Sequence, residues 1–263
     1  MDDYAQFIAK VKRKTGIDLS LYKEAQMRRR LASLYMKKGL KSFAELFAAM
    51  EKEPALWHEC LDRMTINVSE FYRNAKRWEV LEHTILPRLL AENPRPNVWS
   101  AACSTGEEPY TLAMVLAKRL PLHRVSVLAT DIDDNALARA PRFVQRTVAC
   151  RAARGNEKKF FTKEGEYYKI DEKIKQTVKF QKHNLLADPF PRNMDLIVCR
   201  NVLIYFTEEA KRMLYRKFLT RSGREACCLS AAPSRFSIPA CTVLKSKRRF
   251  FTEKNSSRRL LFS

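Results

Sequence analysis

NVWSAACSTGEEPYTLAMVLAKRL, residues 97–120, decides the fold. Its first seven residues are a short apolar run of strand length. Ser104, Thr105 and Gly106 then supply turn chemistry, and from Glu107 onward the pattern becomes that of an amphipathic helix. The same rhythm continues downstream. RVSVLATDID (124–133) reads as a second strand, and DDNALARA (133–140) as the start of its helix. TVKFQKHN (177–184) and MDLIVCRN (194–201) read as further strands. TEEAKRMLYRKF (207–218) is a helix with Thr207 as N-cap and acids in its first turn. Strands alternating with helices predict an α/β, doubly wound domain on a parallel sheet with right-handed crossovers. Residues 160–182 break the rhythm and predict a small antiparallel β insertion at about 145–182, turning near Glu164–Gly165.

Upstream the period changes. Tyr4, Phe7, Ile8 and Val11 recur at helical spacing, as do Met27, Leu31, Leu34 and Tyr35, then Phe43, Leu46, Phe47 and Met50. Gly16 and Gly39 stand where helices would end, and Ser42 with Glu45 forms a capping box. We therefore expect an all-α N-terminal domain over 1–75 and a catalytic domain over 76–263. The composition is that of an ordinary soluble protein, with 46% hydrophobic and 30% charged residues. No apolar stretch reaches the length of a membrane span and the N-terminus lacks a signal-peptide core, so a cytoplasmic, monomeric protein is expected. The seven cysteines show neither a C-x-x-C pair nor a metal-ligand spacing; free buried thiols and no metal site are expected. Net charge is +21, which invites a polyanionic partner. Lys23, Arg28, Arg29, Arg30, Lys37 and Lys38 face only Glu24 within their own segment, which suits an acidic partner surface.

In a doubly wound sheet, ligands bind at the carboxyl ends of the strands near the switch point. Three strand ends here carry polar residues: Ser104 to Glu108, Asp131, and Cys199-Arg200-Asn201. Gly106 permits a tight turn at a helix N-terminus. Asp131 stands 25 residues on, where an acid can accept hydrogen bonds from ribose hydroxyls. The turn has one glycine and two carboxylates, so it suits a pyrophosphate poorly. A cationic adenosine derivative fits better, and S-adenosylmethionine carries both a sulfonium and an ammonium group.

As whole strings the segments are more specific. TGIDLSLYKEAQMRRRL (15–31), RMTINVSEFYRN (63–74), WSAACSTGEEPYTLA (99–113), LATDIDDNALARA (128–140), HNLL (183–186) and DLIVCRNVLIYF (195–206) resemble the CheR-type chemoreceptor methyltransferases. The likeness runs in order from about residue 4 to 218. It implies a helical domain followed by a Rossmann-like S-adenosylmethionine-dependent domain with a small β insertion. The implied activity is methylation of receptor glutamate carboxylates, leaving S-adenosylhomocysteine. The resemblance implies that Asn67, Ser69 and Arg73 close over the cofactor. Glu108 is implied to face its methionine end, Asp131 its ribose, and Asn184, Leu185, Cys199, Arg200 and Asn201 its remaining parts. Arg73 and Tyr205 are implied to flank the transferred methyl. The acidic partner is then the cytoplasmic helical region of a chemoreceptor, met by Arg28, Arg29, Arg30, Lys37 and Lys38, and no nucleic acid is expected.

Two stretches depart from the family pattern: 144–157, and 219–263. The latter has ten Lys or Arg, two Glu and a single glycine, Gly223. That composition resembles translation in a shifted reading frame, which sequencing the coding DNA tests; such a shift would cost the sheet its last strands and leave an unpaired edge. The competing functional readings are a nucleic-acid methyltransferase, favoured by charge but lacking an Asn/Asp-Pro-Pro-aromatic loop at 199–202, and a non-catalytic chain.

Overall fold

The computed structural model describes residues 2–65, 67, 69–142, 144–146, 155–165, 167–230, 242–244 and 250–251. Four helices come first: α1 (Asp3–Thr15), α2 (Glu24–Lys37), α3 (Phe43–Lys52) and α4 (Pro54–Met64). Their ends follow the capping residues. The Asp2 carboxylate accepts from the Tyr4 N–H, and Gly16 ends α1 at φ 74°. Ser42 Oγ accepts from the Glu45 N–H at 3.1 Å, while Glu45 reaches back to the Lys41 N–H at 2.8 Å. The apolar stripes meet in one core. Tyr4, Phe7, Val11, Met27, Leu31, Leu34, Phe43, Leu46, Phe47 and Met50 are buried, with Ile8 and Tyr35 packed at its margin.

A helical stretch that the sequence pattern did not single out follows. It consists of α5 (Ala75–Val80), a π-helical turn at Leu81–Ile85, and α6 (Leu86–Glu92). Pro87 has no N–H to give to the preceding turn, and the widened turn sits just ahead of it.

The strands are β1 (Val98–Ala101), β2 (Val127–Asp131), β3 (Val144–Arg146), β4 (Phe161–Glu164), β5 (Tyr167–Ile170), β6 (Val178–Lys182), β7 (Met194–Cys199), β8 (Ser222–Ser230), β9 (Thr242–Leu244) and β10 (Phe250–Phe251). The main sheet has the order β10-β9-β8-β7-β1-β2-β6, and β6, β2, β1, β7 and β8 run parallel. Helices α7 (Glu107–Ala117), α8 (Asp134–Arg139), α9 (Glu172–Lys175) and α10 (Glu208–Arg221) connect them. Alternate residues divide between two cores, as a sheet covered on both faces requires. Val98, Leu196 and Val198 pack with α5, α6 and α7. Trp99, Ala101, Ile197 and Cys199 pack with Ala210, Leu214 and Phe218 of α10.

Strands β3, β5 and β4 form a separate antiparallel sheet, with Gly165 at φ 61° in the β4–β5 turn. The expected insertion at about 145–182 is corrected at its far end: Val178–Lys182 belongs to the main sheet, paired with β2 from Val127↔Val178 to Asp131↔Lys182. The main sheet also continues beyond β7. β8 pairs with it from Leu196↔Cys227 to Cys199↔Ser230, and β9 covers β8, so the open edge that a lost tail would leave is not what the backbone shows. Residues 147–154, 231–241, 245–249 and 252–263, where the departing stretches mostly lie, fall outside the described residues. No described helix is long and apolar enough to cross a membrane.

Candidate active site

The chain leaves β1 toward β2 and β6, then crosses back to β7 on the other flank of β1. The loops after β1 and β7 therefore diverge, and the crevice between them is the switch point of the sheet. A cleft of about 280 Å³ opens there. Asn67, Ser69, Arg73, Glu108, Asp131, Asn184, Leu185, Arg200, Asn201 and Tyr205 all line it. Cys199 does not: its side chain is fully buried in the core beneath, beside Trp99 and Leu203.

The loop after β1 is held in an unusual backbone course. Ala102 and Ser104 sit at φ 61° and 50°, and Gly106 at φ 99°. A Cβ on Gly106 would stand 3.0 Å from Cβ of Ala140 and 3.2 Å from the Tyr110 ring, so conformation and space both demand glycine. Asn201, which lines the cleft, and Tyr72 and Asn74, the chain neighbours of lining residue Arg73, also have positive φ. Strain of this kind persists where surrounding contacts over-determine it.

Two acids face the cleft, Asp131 buried and Glu108 largely so. Asp131 ends β2 and is 7% exposed; its carboxylate accepts from the Ser104 N–H at 2.7 Å and the Asp133 N–H at 3.0 Å. Burial raises its pKa above the ordinary carboxylate value. Glu108, in the first turn of α7, accepts from Ser100 Oγ at 3.1 Å and lies 3.6 Å from the Arg200 guanidinium. Burial pushes it up to about 7, against the opposing pull of Arg200 and Ser100.

Arg200 is 6% exposed, and burial lowers its pKa. Its guanidinium lies 5.1 Å from the Trp78 ring centre and donates to the Arg73 carbonyl, which also accepts from Trp78 Nε1 at 3.1 Å. Arg200 and Trp78 thus fix the backbone that carries Arg73. Asn184 is built in by its own loop: its side-chain oxygen accepts from the Leu186 N–H at 3.0 Å, and its N–H donates to Asp188 at 2.8 Å.

The helical domain contributes to the same walls. Asp133 caps α8 through the Asn135 and Ala136 N–H groups, and its second oxygen accepts from Thr65 Oγ1 at 2.9 Å and Asn67 Nδ2 at 2.6 Å. Burial raises its pKa, but the bonds from Asn67, Ala136 and Thr65 outweigh it and hold the carboxyl below its ordinary value. Ser104 Oγ donates to Asn67 at 2.8 Å, closing the link from the interdomain segment to the strand-end loop.

Sequence reasoning missed several lining or supporting residues: Tyr22, Thr65, Ser104 as a side-chain donor, Trp78, Asp133 and His183. Asp133 had a signal, an acid directly before a helix. Tyr22 had none, because its neighbours Phe206 and Asp131 are remote in sequence.

Within its own segment the basic face finds only Glu24, paired with Arg28, and further partners come from outside it: Arg28 pairs with Asp2 at 2.7 Å, and Lys37 and Lys38 share Glu59 at 3.5 and 2.7 Å. Arg30 stacks on Tyr205 at 5.0 Å. Arg29 is exposed and makes no ion pair among the described residues.

Comparison with known proteins agrees with this architecture. Residues 67–227 match the family described as CheR methyltransferase, SAM binding domain, and residues 2–65 match CheR methyltransferase, all-alpha domain. The chain is 40% identical over 251 residues to a chemotaxis protein methyltransferase of Listeria monocytogenes, covering 95% of this chain and 96% of that one. A protein of the same description from Borreliella burgdorferi is 34% identical over 232 residues, 82% of either chain.

Proposed function

The chain belongs to the CheR methyltransferase family, and from that premise we propose that it transfers the methyl group of S-adenosylmethionine to glutamate side-chain carboxylates of chemoreceptors, giving methyl esters. The observation that carries this reading is one cleft at the switch point walled by the acids Glu108 and Asp131 and by Arg73 and Tyr205. Acids suit a cationic nucleoside; an arginine suits an anionic acceptor.

The residues fit the cofactor. Glu108 is a largely buried carboxylate whose charge Arg200, Ser100 and, at longer range, Arg73 support, and an incoming ammonium would add to them. Asp131, fixed by two backbone N–H donors, keeps lone pairs for ribose hydroxyls. Asn184, Leu185, Arg200 and Asn201 would border the nucleoside and methionine portions, with Cys199 packed underneath, and Asn67 and Ser69 would close the cleft from the interdomain side. When bound, S-adenosylmethionine supplies a methyl carbon made electrophilic by its sulfonium. The chain's own residues do the rest. A glutamate side chain has an unperturbed pKa of about 4.3, so the acceptor is already a nucleophile at neutral pH and no general base is needed. Arg73 neutralises and orients that carboxylate through charge-assisted bonds. The Tyr205 hydroxyl donates one hydrogen bond to it. Catalysis is then chiefly the in-line placement of oxygen, carbon and sulfur with water kept out.

The acidic helical region of the receptor would meet the α2 face, with Arg29 its most available cation once the pairs to Asp2 and Glu59 are set aside. Complementary charge there speeds encounter and fixes register. The test is methyl transfer onto receptor-rich membranes: ester formation on glutamate supports the reading, and methylation of added nucleic acid instead refutes it.

A further inference from the structure

The contact between α2 and the loop after β7 does more than cover surface. The Lys23 N–H donates to the Tyr205 carbonyl at 2.8 Å, the Thr207 N–H donates to the Leu21 carbonyl at 2.9 Å, and Tyr22 forms an antiparallel bridge with Phe206, their rings 5.0 Å apart. Leu21–Lys23 of the helical domain are thus zipped to Tyr205–Thr207. From α2, whose N-cap is Lys23, the Arg30 guanidinium lies 5.0 Å from the Tyr205 ring centre. Backbone and ring of Tyr205 are therefore both held from the helical domain, in a short 3-10 turn, Leu203–Tyr205, that has no side-chain cap of its own.

We propose that Arg30 is a positioning residue: it fixes the Tyr205 ring in the cleft, and so sets turnover rather than receptor docking. The proposal rests on the assignment of Tyr205 to the reacting centre. It separates Arg30 from Arg29, its exposed chain neighbour. A docking cation acts through long-range charge, so its loss raises KM and flattens the salt dependence. A stacked guanidinium acts at contact distance, so its loss lowers kcat and leaves the salt dependence alone.

The experiment compares Arg30→Gln, Arg30→Lys and Arg29→Gln in the full chain at low and high salt, with the Tyr205 ring resonances followed by NMR and assigned by their disappearance in Tyr205→Phe. For Arg30→Gln the expected result is a shift of the Tyr205 resonances and a loss of kcat of about threefold to fivefold, equal at both salt concentrations, with KM changed less than about twofold. Arg30→Lys, which keeps a cation over the ring, recovers at least half of the lost kcat. Arg29→Gln raises KM at low salt and leaves the Tyr205 resonances in place. If Arg30→Gln behaves as Arg29→Gln does, or shifts the ring without lowering kcat, the proposal is overturned. If the wild-type chain methylates no receptor, or Tyr205→Phe is fully active, the underlying assignment has failed and the positioning role falls with it; an unmoved ring in an active enzyme refutes the positioning role alone.

Discussion

Lowering the pH from 7.5 to 6 should weaken S-adenosylmethionine binding roughly eightfold, through Glu108 alone. Burial pushes its carboxyl up to about 7, so it is about three-quarters ionised at pH 7.5 and about one-tenth ionised at pH 6. Only the ionised form complements an ammonium, so affinity follows that fraction. The ligand's own α-amino group titrates near 7.7–8.0, which places a second, falling limb above about pH 8. A maximum between about pH 7 and 8 is expected. The sign for stability is opposite. The folded chain holds a proton on Glu108 up to about 7, whereas the unfolded chain releases it near 4.5. Stability from this group is therefore greatest below pH 4.5 and declines as pH rises to 7, costing about 3 kcal/mol in the ligand-free protein at neutral pH. Glu108→Gln should remove the acid limb of binding and raise the melting temperature of the ligand-free chain at pH 7.5. Calorimetric titration at half-unit pH steps checks the first and thermal melts the second. An affinity flat from pH 6 to 7.5, or an acid limb unchanged in Glu108→Gln, would refute the assignment of Glu108 to the ammonium.

Asp131→Ala should weaken cofactor binding by about 1.5–3 kcal/mol, because a charge-assisted bond is lost and the Ser104 loop is released; unchanged affinity by calorimetry removes Asp131 from the site. Arg73→Ala should lower kcat/KM for receptor at least tenfold, about 1.4 kcal/mol, with little change in cofactor affinity; near-normal steady-state activity would sink its role at the acceptor carboxylate. Receptor methylation should fall steeply with salt while cofactor binding changes little, and Arg29→Glu should reproduce the slow state at low salt. Lys37→Glu should do so less, since Lys37 already shares Glu59 with Lys38; equal effects would show that those pairs are not maintained in solution.

Local periodicity made much of the fold legible. The stripes from Tyr4 to Met50 gave the helical core, and the apolar runs ending at Ala101, Asp131, Lys182 and Cys199 gave the parallel sheet. The cleft followed from the strand ends, since polar residues at consecutive carboxyl ends converge at a switch point. What stayed hidden depends on contacts distant in sequence. Nothing near Tyr22 announces Phe206, and the pairing of Arg28 with Asp2 and of Lys38 with Glu59 cannot be read from α2 alone. Val178–Lys182 reads both as a strand run and as the end of the expected insertion, and only its pairing with β2 assigns it to the edge of the main sheet. The turn at 81–85 answers to Pro87, a signal that was present and passed over.

The central claim is tested most directly by incubating the protein with receptor-rich membranes and S-adenosylmethionine labelled on its methyl group, then treating the washed product with alkali. A carboxylate ester is cleaved by base, so label should enter the receptor and be released quantitatively as volatile methanol. Replacing the accepting glutamates should abolish incorporation. Label that resists alkali, or that passes to added RNA or DNA while the receptor stays unlabelled, would contradict it.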